Sequence, residues 1–349
     1  MNGRRVTLAV VFAIVAFAGT TAWWLSRDTS GLRPLRVGIS PYQDIAMLVN
    51  AENLKLEAKY GTRLELRTMA WEDILPAVAS SSATSIDVGF GSLTEFLTKF
   101  DKLNAGSTDP VVFVYPLYVY KGGGFVSFNP AIEPLAAAGA NDPQALKAFL
   151  SAEFAAQKQS VYEMVLFSLA RRAGINPVAL MIRDLPLNDA LLAASGGSID
   201  VAAAGLTQLT EAVRRGGRVV LKMDDAGFAD ITGFICRRSV LASREADVKN
   251  LVRMWFESVS YVAADPEKNS IASLEYLRKN SATRYSFDEY KAALDQEYLP
   301  RSVQEAREQL MSANGRYPLD RISADVSGYL AQQGLARNPP PTPIPVDVR

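Results

Sequence analysis

The chain contains no histidine and a single cysteine, Cys236, so its chemistry must come from carboxylates, hydroxyls and amides. That excludes a Ser-His-Asp triad, a Cys-His pair and any His-bearing zinc site, because the commonest general base and metal ligand is missing. Asp44 or Asp230 acting with Tyr42 is the acid–base set an enzyme would have to use. A more regular pattern is Ser-x-x-Glu/Gln, the capping box that closes a helix start. It occurs at Ser40 with Gln43, Ser92 with Glu95 and Ser160 with Glu163, each time after an apolar run. It also occurs at Ser286 with Glu289 and Ser302 with Glu305, in a helical region where no site is expected. A strand feeding a helix leaves free backbone N–H groups at the carboxyl end of a sheet, where α/β folds bind ligands. Such N-termini favour an anionic or strongly polar acceptor by about 0.3–1 kcal/mol each. Asp44 and Asp230 pull the other way, toward a cationic or N–H donor group. Tyr42 and Trp71 offer rings for stacking. Together these residues suit a small solute that carries both polarities.

The elements that must position them can be read around Leu35-Arg36-Val37-Gly38-Ile39-Ser40-Pro41, a strand running into a helix start. Ser40 is the expected N-cap, and Pro41 sits at the first helical position. Ile45, Leu48 and Val49 supply the apolar stripe, and Gly61 the left-handed end. Residues 63–69 alternate as a half-buried strand, and Trp71 opens a short helix. Residues 85–91 form a second strand into the helix carrying Leu93, Phe96, Leu97 and Phe100. Residues 111–119 are nearly all apolar, as in a central strand, and Gly122-Gly123-Gly124 after them reads as a hinge. Residues 198–205 echo 85–91, which two similar lobes explain most simply. Residues 226–233 read as the return crossing. Val248, Leu251, Val252, Trp255, Phe256 and Val259 mark a long buried helix. Cys236 reads as a small buried hydrophobe.

Composition agrees with a folded α/β chain of about two domains: 349 residues, 48% hydrophobic and 21% charged. Lys+Arg and Asp+Glu both number 37, which gives no electrostatic reason to expect nucleic acid. Arg4 and Arg5 before the apolar run 6–25 read as an export signal, either cleaved or kept as a membrane anchor with Trp23-Trp24 at the far interface. The proline-rich stretch 338–349 is expected to be extended and poorly ordered.

With these features in place, the chain resembles the substrate-binding proteins of ABC importers for nitrate, sulfonate, taurine and bicarbonate (the NitT/TauT type), including members that bind thiamine-pyrimidine precursors. The likeness covers about residues 35–270. It rests on residues 35–41, on the small-Ile-Asp-Val turns at 85–91 and 198–205, and on Ile231-Thr232-Gly233-Phe234-Ile235 followed by Arg237-Arg238. It implies an α/β type II periplasmic-binding-protein fold, two lobes with a hinge, preceded by the signal or anchor helix. The implied divisions are 1–30 signal or anchor, 35–122 lobe 1, 123–227 lobe 2, 228–337 the return to lobe 1 with C-terminal helices, and 338–349 the tail. By position, the ligand would touch Ser40, Pro41, Tyr42, Gln43, Asp44, Trp71, Gly91, Ser92, Gln159, Ser160, Gly205, Thr207 and Asp230. The histidine or lysine anion ligands of some relatives have no counterpart here. The resemblance further implies a monomer without cofactor or metal, located outside the cytoplasmic membrane. It would bind a sulfonate-like or aminopyrimidine-like solute and work with a permease and an ATPase. A membrane-tethered solute sensor is the alternative role.

Overall fold

A computed structural model describes residues 31–80, 82, 85–135, 139–281, 284–334, 343 and 346–348. The expected signal or anchor segment, 1–30, lies outside them. Among the described residues no helix is long and apolar enough to cross a membrane.

Among the described residues the strands form two five-stranded sheets. The first takes β1 (Leu35–Ile39), β2 (Leu64–Thr68), β3 (Val88–Ser92), β4 (Val111–Tyr120) and β10 (Asp230–Arg237), in the order β2-β1-β3-β10-β4. The second takes β5 (Gly124–Ser127), β6 (Phe154–Ala155), β7 (Ile182–Arg183), β8 (Val201–Ala204) and β9 (Arg218–Lys222), in the order β7-β6-β8-β5-β9. Both are built alike. In the first, β1 pairs in parallel with β2 and β3 while β10 runs antiparallel between β3 and β4. In the second, β6 pairs in parallel with β7 and β8 while β5 runs antiparallel between β8 and β9. The chain therefore crosses between sheets twice, at 121–123 and at 223–229.

The triple glycine at the first crossing is required by crowding rather than by unusual backbone angles. A Cβ on Gly124 would lie 2.3 Å from the Leu221 carbonyl oxygen, and one on Gly122 would lie 2.5 Å from the Leu206 side chain. Glu297 clasps this crossing by accepting from the backbone N–H groups of Lys121 (2.8 Å) and Gly122 (3.0 Å). The apolar core spreads beneath both sheets. Trp255, from the helix Arg238–Ala264, packs edge-on to Phe90 at 5.2 Å and stacks on Tyr118 at 5.9 Å.

Two expectations need correction. Residues 41–60 do not form one helix. They form a 3-10 turn Ile45–Val49, a helical turn Asn50–Asn53, and, after Lys55 in the left-handed region (φ 53°), a short helix Leu56–Tyr60 closed by left-handed Gly61. Ser40 is not its cap. Its hydroxyl donates to the Met69 carbonyl at 2.9 Å, in the chain leaving β2, and Asp44 caps the turn by accepting from the Ile45 N–H at 3.0 Å. The C-terminal stretch is not loose to its end either. The Val346 N–H donates to the Val114 carbonyl at 2.9 Å on edge strand β4, and Val346 and Val348 are buried. Arg307 holds the same piece through Asp347 (3.1 Å) and the Val348 carbonyl (2.7 Å).

Candidate functional site

The crevice between the two sheets closes over a cavity of about 70 Å³, enough for several waters or one small solute. From the first sheet's side come Tyr42, Gln43, Asp44, Ile45, Trp71, Ser92, Glu95, Tyr118, Tyr120, Asp230 and Thr232. From the second come Gln157, Val161, Tyr162, Leu187, Gly205 and Leu206. Direct bonds join the two sides: Thr207 Oγ1 donates to Gln43 Oε1 (3.1 Å), Thr98 Oγ1 to the Gln159 carbonyl (2.7 Å), and the Tyr120 and Tyr162 hydroxyls meet at 3.0 Å.

Asp230 opens β10 above the start of the helix Leu93–Leu103. Ser92 caps that helix by accepting from the Glu95 N–H (3.1 Å), and its hydroxyl donates in turn to Asp230. The other Asp230 oxygen accepts from the N–H groups of Thr94 (3.2 Å) and Ile231 (2.8 Å). Burial pushes this carboxyl up to about 6, against the pull of those hydrogen bonds. Asp44 is also buried. It takes the Ile45 N–H on one oxygen and the Tyr118 hydroxyl on the other, and its carboxyl is raised because desolvation outweighs both. Burial, reinforced by Asp44, lifts Glu297 behind them well above the carboxylate range. The Tyr42, Tyr118, Tyr120 and Tyr162 hydroxyls are raised in the same way, so they stay neutral donors. Tyr42 and Trp71 lie 6.3 Å apart at 46°.

Of the thirteen residues implied by the resemblance, Tyr42, Gln43, Asp44, Trp71, Ser92, Gly205 and Asp230 line the cavity. Ser40, Pro41, Gly91, Gln159, Ser160 and Thr207 do not. Pro41 and Thr207 border a neighbouring surface recess shared with Tyr42 and Trp71. Gly91 sits inside its sheet, where a Cβ would lie 3.1 Å from Ile235. Gln159 is left-handed (φ 56°) and is held through its backbone: its carbonyl accepts from Thr98 and its N–H donates to Glu163. The Ser160 hydroxyl turns back to the Gln157 carbonyl at 2.6 Å instead of capping the helix Val161–Arg172. The largest omission is the ring set of Tyr118, Tyr120 and Tyr162. Tyr118 and Tyr120 stand two apart on one face of β4 beside the first crossing, but that strand is buried from Val111 to Val119, so alternation there carries no signal that could have found them. No group of acids and cysteine suited to a metal occurs among the described residues.

No family model and no curated protein sequence matches the chain. Solved structures do match by shape. The Candida albicans CA3427 gene product, described as exhibiting the generic periplasmic binding protein structural fold, superposes with a TM-score of 0.62 at 11% identity, covering 90% of this chain and 99% of that one. The chain has the periplasmic binding protein fold. Others with this fold include the periplasmic aliphatic sulphonate binding protein SsuA from Escherichia coli (TM-score 0.61, 16% identity, 88% and 95% covered). The ligand binding component of an ABC-type import system from Staphylococcus aureus also matches (TM-score 0.60, 14% identity, 88% and 94% covered). Open α/β sheets bind ligands beyond the carboxyl ends of their strands, and the cavity here is lined by Ser92 at the end of β3 and Gly205 just after β8.

Proposed function

We propose that the chain is the solute-capturing component of an ABC importer, working outside the cytoplasmic membrane as a monomer. It closes on one small polar organic molecule and presents it to a permease driven by an ATPase. The observation that carries this reading is the Gln43–Thr207 bond over a lined cavity. Two sheets joined, among the described residues, by two crossings can part there, and a solute between them adds contacts to the closed form alone. The import role is supported by the shared fold with the Staphylococcus aureus import component and the Escherichia coli sulphonate binder. Capture without turnover fits the carboxylates: Asp44 and Asp230 are held by the protein's own N–H and O–H groups, leaving neither free as a mobile base. Native mass spectrometry of gently purified protein tests the proposal. One small molecule per chain, released on unfolding and rebound after refolding, is expected; a chain that never carries or rebinds such a molecule overturns it.

A further inference from the structure

Carboxylates of the chain itself already hold several backbone N–H groups around the cleft. Asp44 takes the Ile45 N–H, Asp230 takes the Thr94 N–H, and Glu163 reaches back to the Gln159 N–H at 2.8 Å. At the helix Leu93–Leu103 the positive end of the dipole is thus answered before a ligand arrives, and a bare anion there would meet the Asp230 carboxylate.

The counter-charge is what is missing. The described cavity lining includes Asp44, Glu95 and Asp230 but no lysine or arginine. Glu95 has Lys99 at 3.7 Å, whereas the described hydrogen bonds of Asp44 and Asp230 come from backbone N–H and hydroxyl groups and neither forms an ion pair with a described lysine or arginine. A buried carboxylate without a counter-charge is costly unless it is protonated or a cation joins it. The rings of Tyr42, Trp71 and Tyr118 line the same space, and an aromatic lining is a second attraction for a cation. One fully buried donor, Gln43 Nε2, lines the cavity without a partner. It calls for a single acceptor atom on the ligand.

Building on the solute-capture reading, we propose that the cleft selects a small organic monocation, an ammonium or amidinium on a flat or short apolar body with one hydrogen-bond acceptor, and rejects sulfonates and inorganic anions. The cationic nitrogen sits between Asp44 and Asp230, and the acceptor faces Gln43.

The test is isothermal titration of the full chain, stripped by unfolding and refolding, at pH 8. The probes are benzamidine, tyramine and choline as cations, benzamide as the neutral isostere of benzamidine, and taurine, ethanesulfonate and nitrate. At least one cation is expected to bind, with benzamidine tenfold or more above benzamide and no measurable heat from ethanesulfonate or nitrate. Asp230→Asn and Asp44→Asn should each weaken the cation tenfold or more. Should either variant fail to fold, the pH dependence of the unmodified chain tests the same assignment. Cation binding falls between pH 8 and 5 as Asp230 takes up a proton, while the probes keep their charge. The titratable groups around the cavity are Asp44, Glu95 with Lys99, and Glu297 with Lys121, and the tyrosines stay neutral throughout. Equal or tighter binding of ethanesulfonate, nitrate or benzamide overturns the cation assignment and leaves solute capture standing. Absence of binding by every probe, with no contraction of the protein in solution, overturns both.

Discussion

Thr207 Oγ1 donates to Gln43 Oε1 at 3.1 Å across the crevice, and both side chains are buried. This bond exists only while the two sheets are together. Thr207→Val keeps the shape and leaves the Gln43 oxygen unpaired in the closed form, a loss of about 1–2 kcal/mol. Solute affinity should fall roughly 5- to 30-fold, with little change in the thermal stability of the empty protein. Titration calorimetry beside a melting curve checks this; an equal loss in both would mean the contact merely holds the fold.

Asp230 sets a pH dependence. Its carboxyl rises from 3.8 to about 6 on folding, so the fold favours the protonated form. Its unfavourable contribution is absent below pH 4 and grows as pH rises through about 6, reaching on the order of 3 kcal/mol. Asp44 and Glu297 act in the same direction. The empty protein should therefore resist denaturant better at pH 5 than at pH 7.5, and Asp230→Asn should flatten that difference. Urea titrations of both proteins at the two pH values measure it.

Gly233 lets β10 lie close against β4. A Cβ there would fall 2.2 Å from Phe113 and 2.4 Å from the Tyr115 carbonyl oxygen, and a backbone atom in a paired strand has little room to yield. Gly233→Ala should cost about 1–3 kcal/mol or more through overpacking, read as a fall in the melting temperature.

The C-terminal clip on β4 should matter as well. Removing residues 346–349 exposes a strand edge and strips two buried valines, a loss of about 2–5 kcal/mol. The truncated chain should melt earlier and aggregate more readily, because an uncovered edge pairs with other chains. Light scattering during a thermal ramp, with Arg307→Ala as an intermediate case, checks both effects.

These residues also show what a sequence reveals. Ser92 reads correctly as a cap because its partner, the Glu95 N–H, is three residues away. Ser40 has the same pattern, yet its hydroxyl goes to Met69, 29 residues on; a cap motif cannot register a competing acceptor on the neighbouring strand. The strands 35–39, 88–92 and 201–204 were legible as apolar runs ending in small residues and turn starts. Tyr118 and Tyr120 were not legible as site residues, because β4 is buried on both faces and alternation loses its meaning there. The same holds for the clip at 346–348, which depends on a carbonyl of Val114 far back in the chain.

The most direct test of the central claim, that two lobes shut over a small solute, is small-angle X-ray scattering of stripped protein before and after solute is added. The radius of gyration should contract on binding, and Thr207→Val should need more solute for the same contraction. Superimposable curves with solute demonstrably bound would contradict the account.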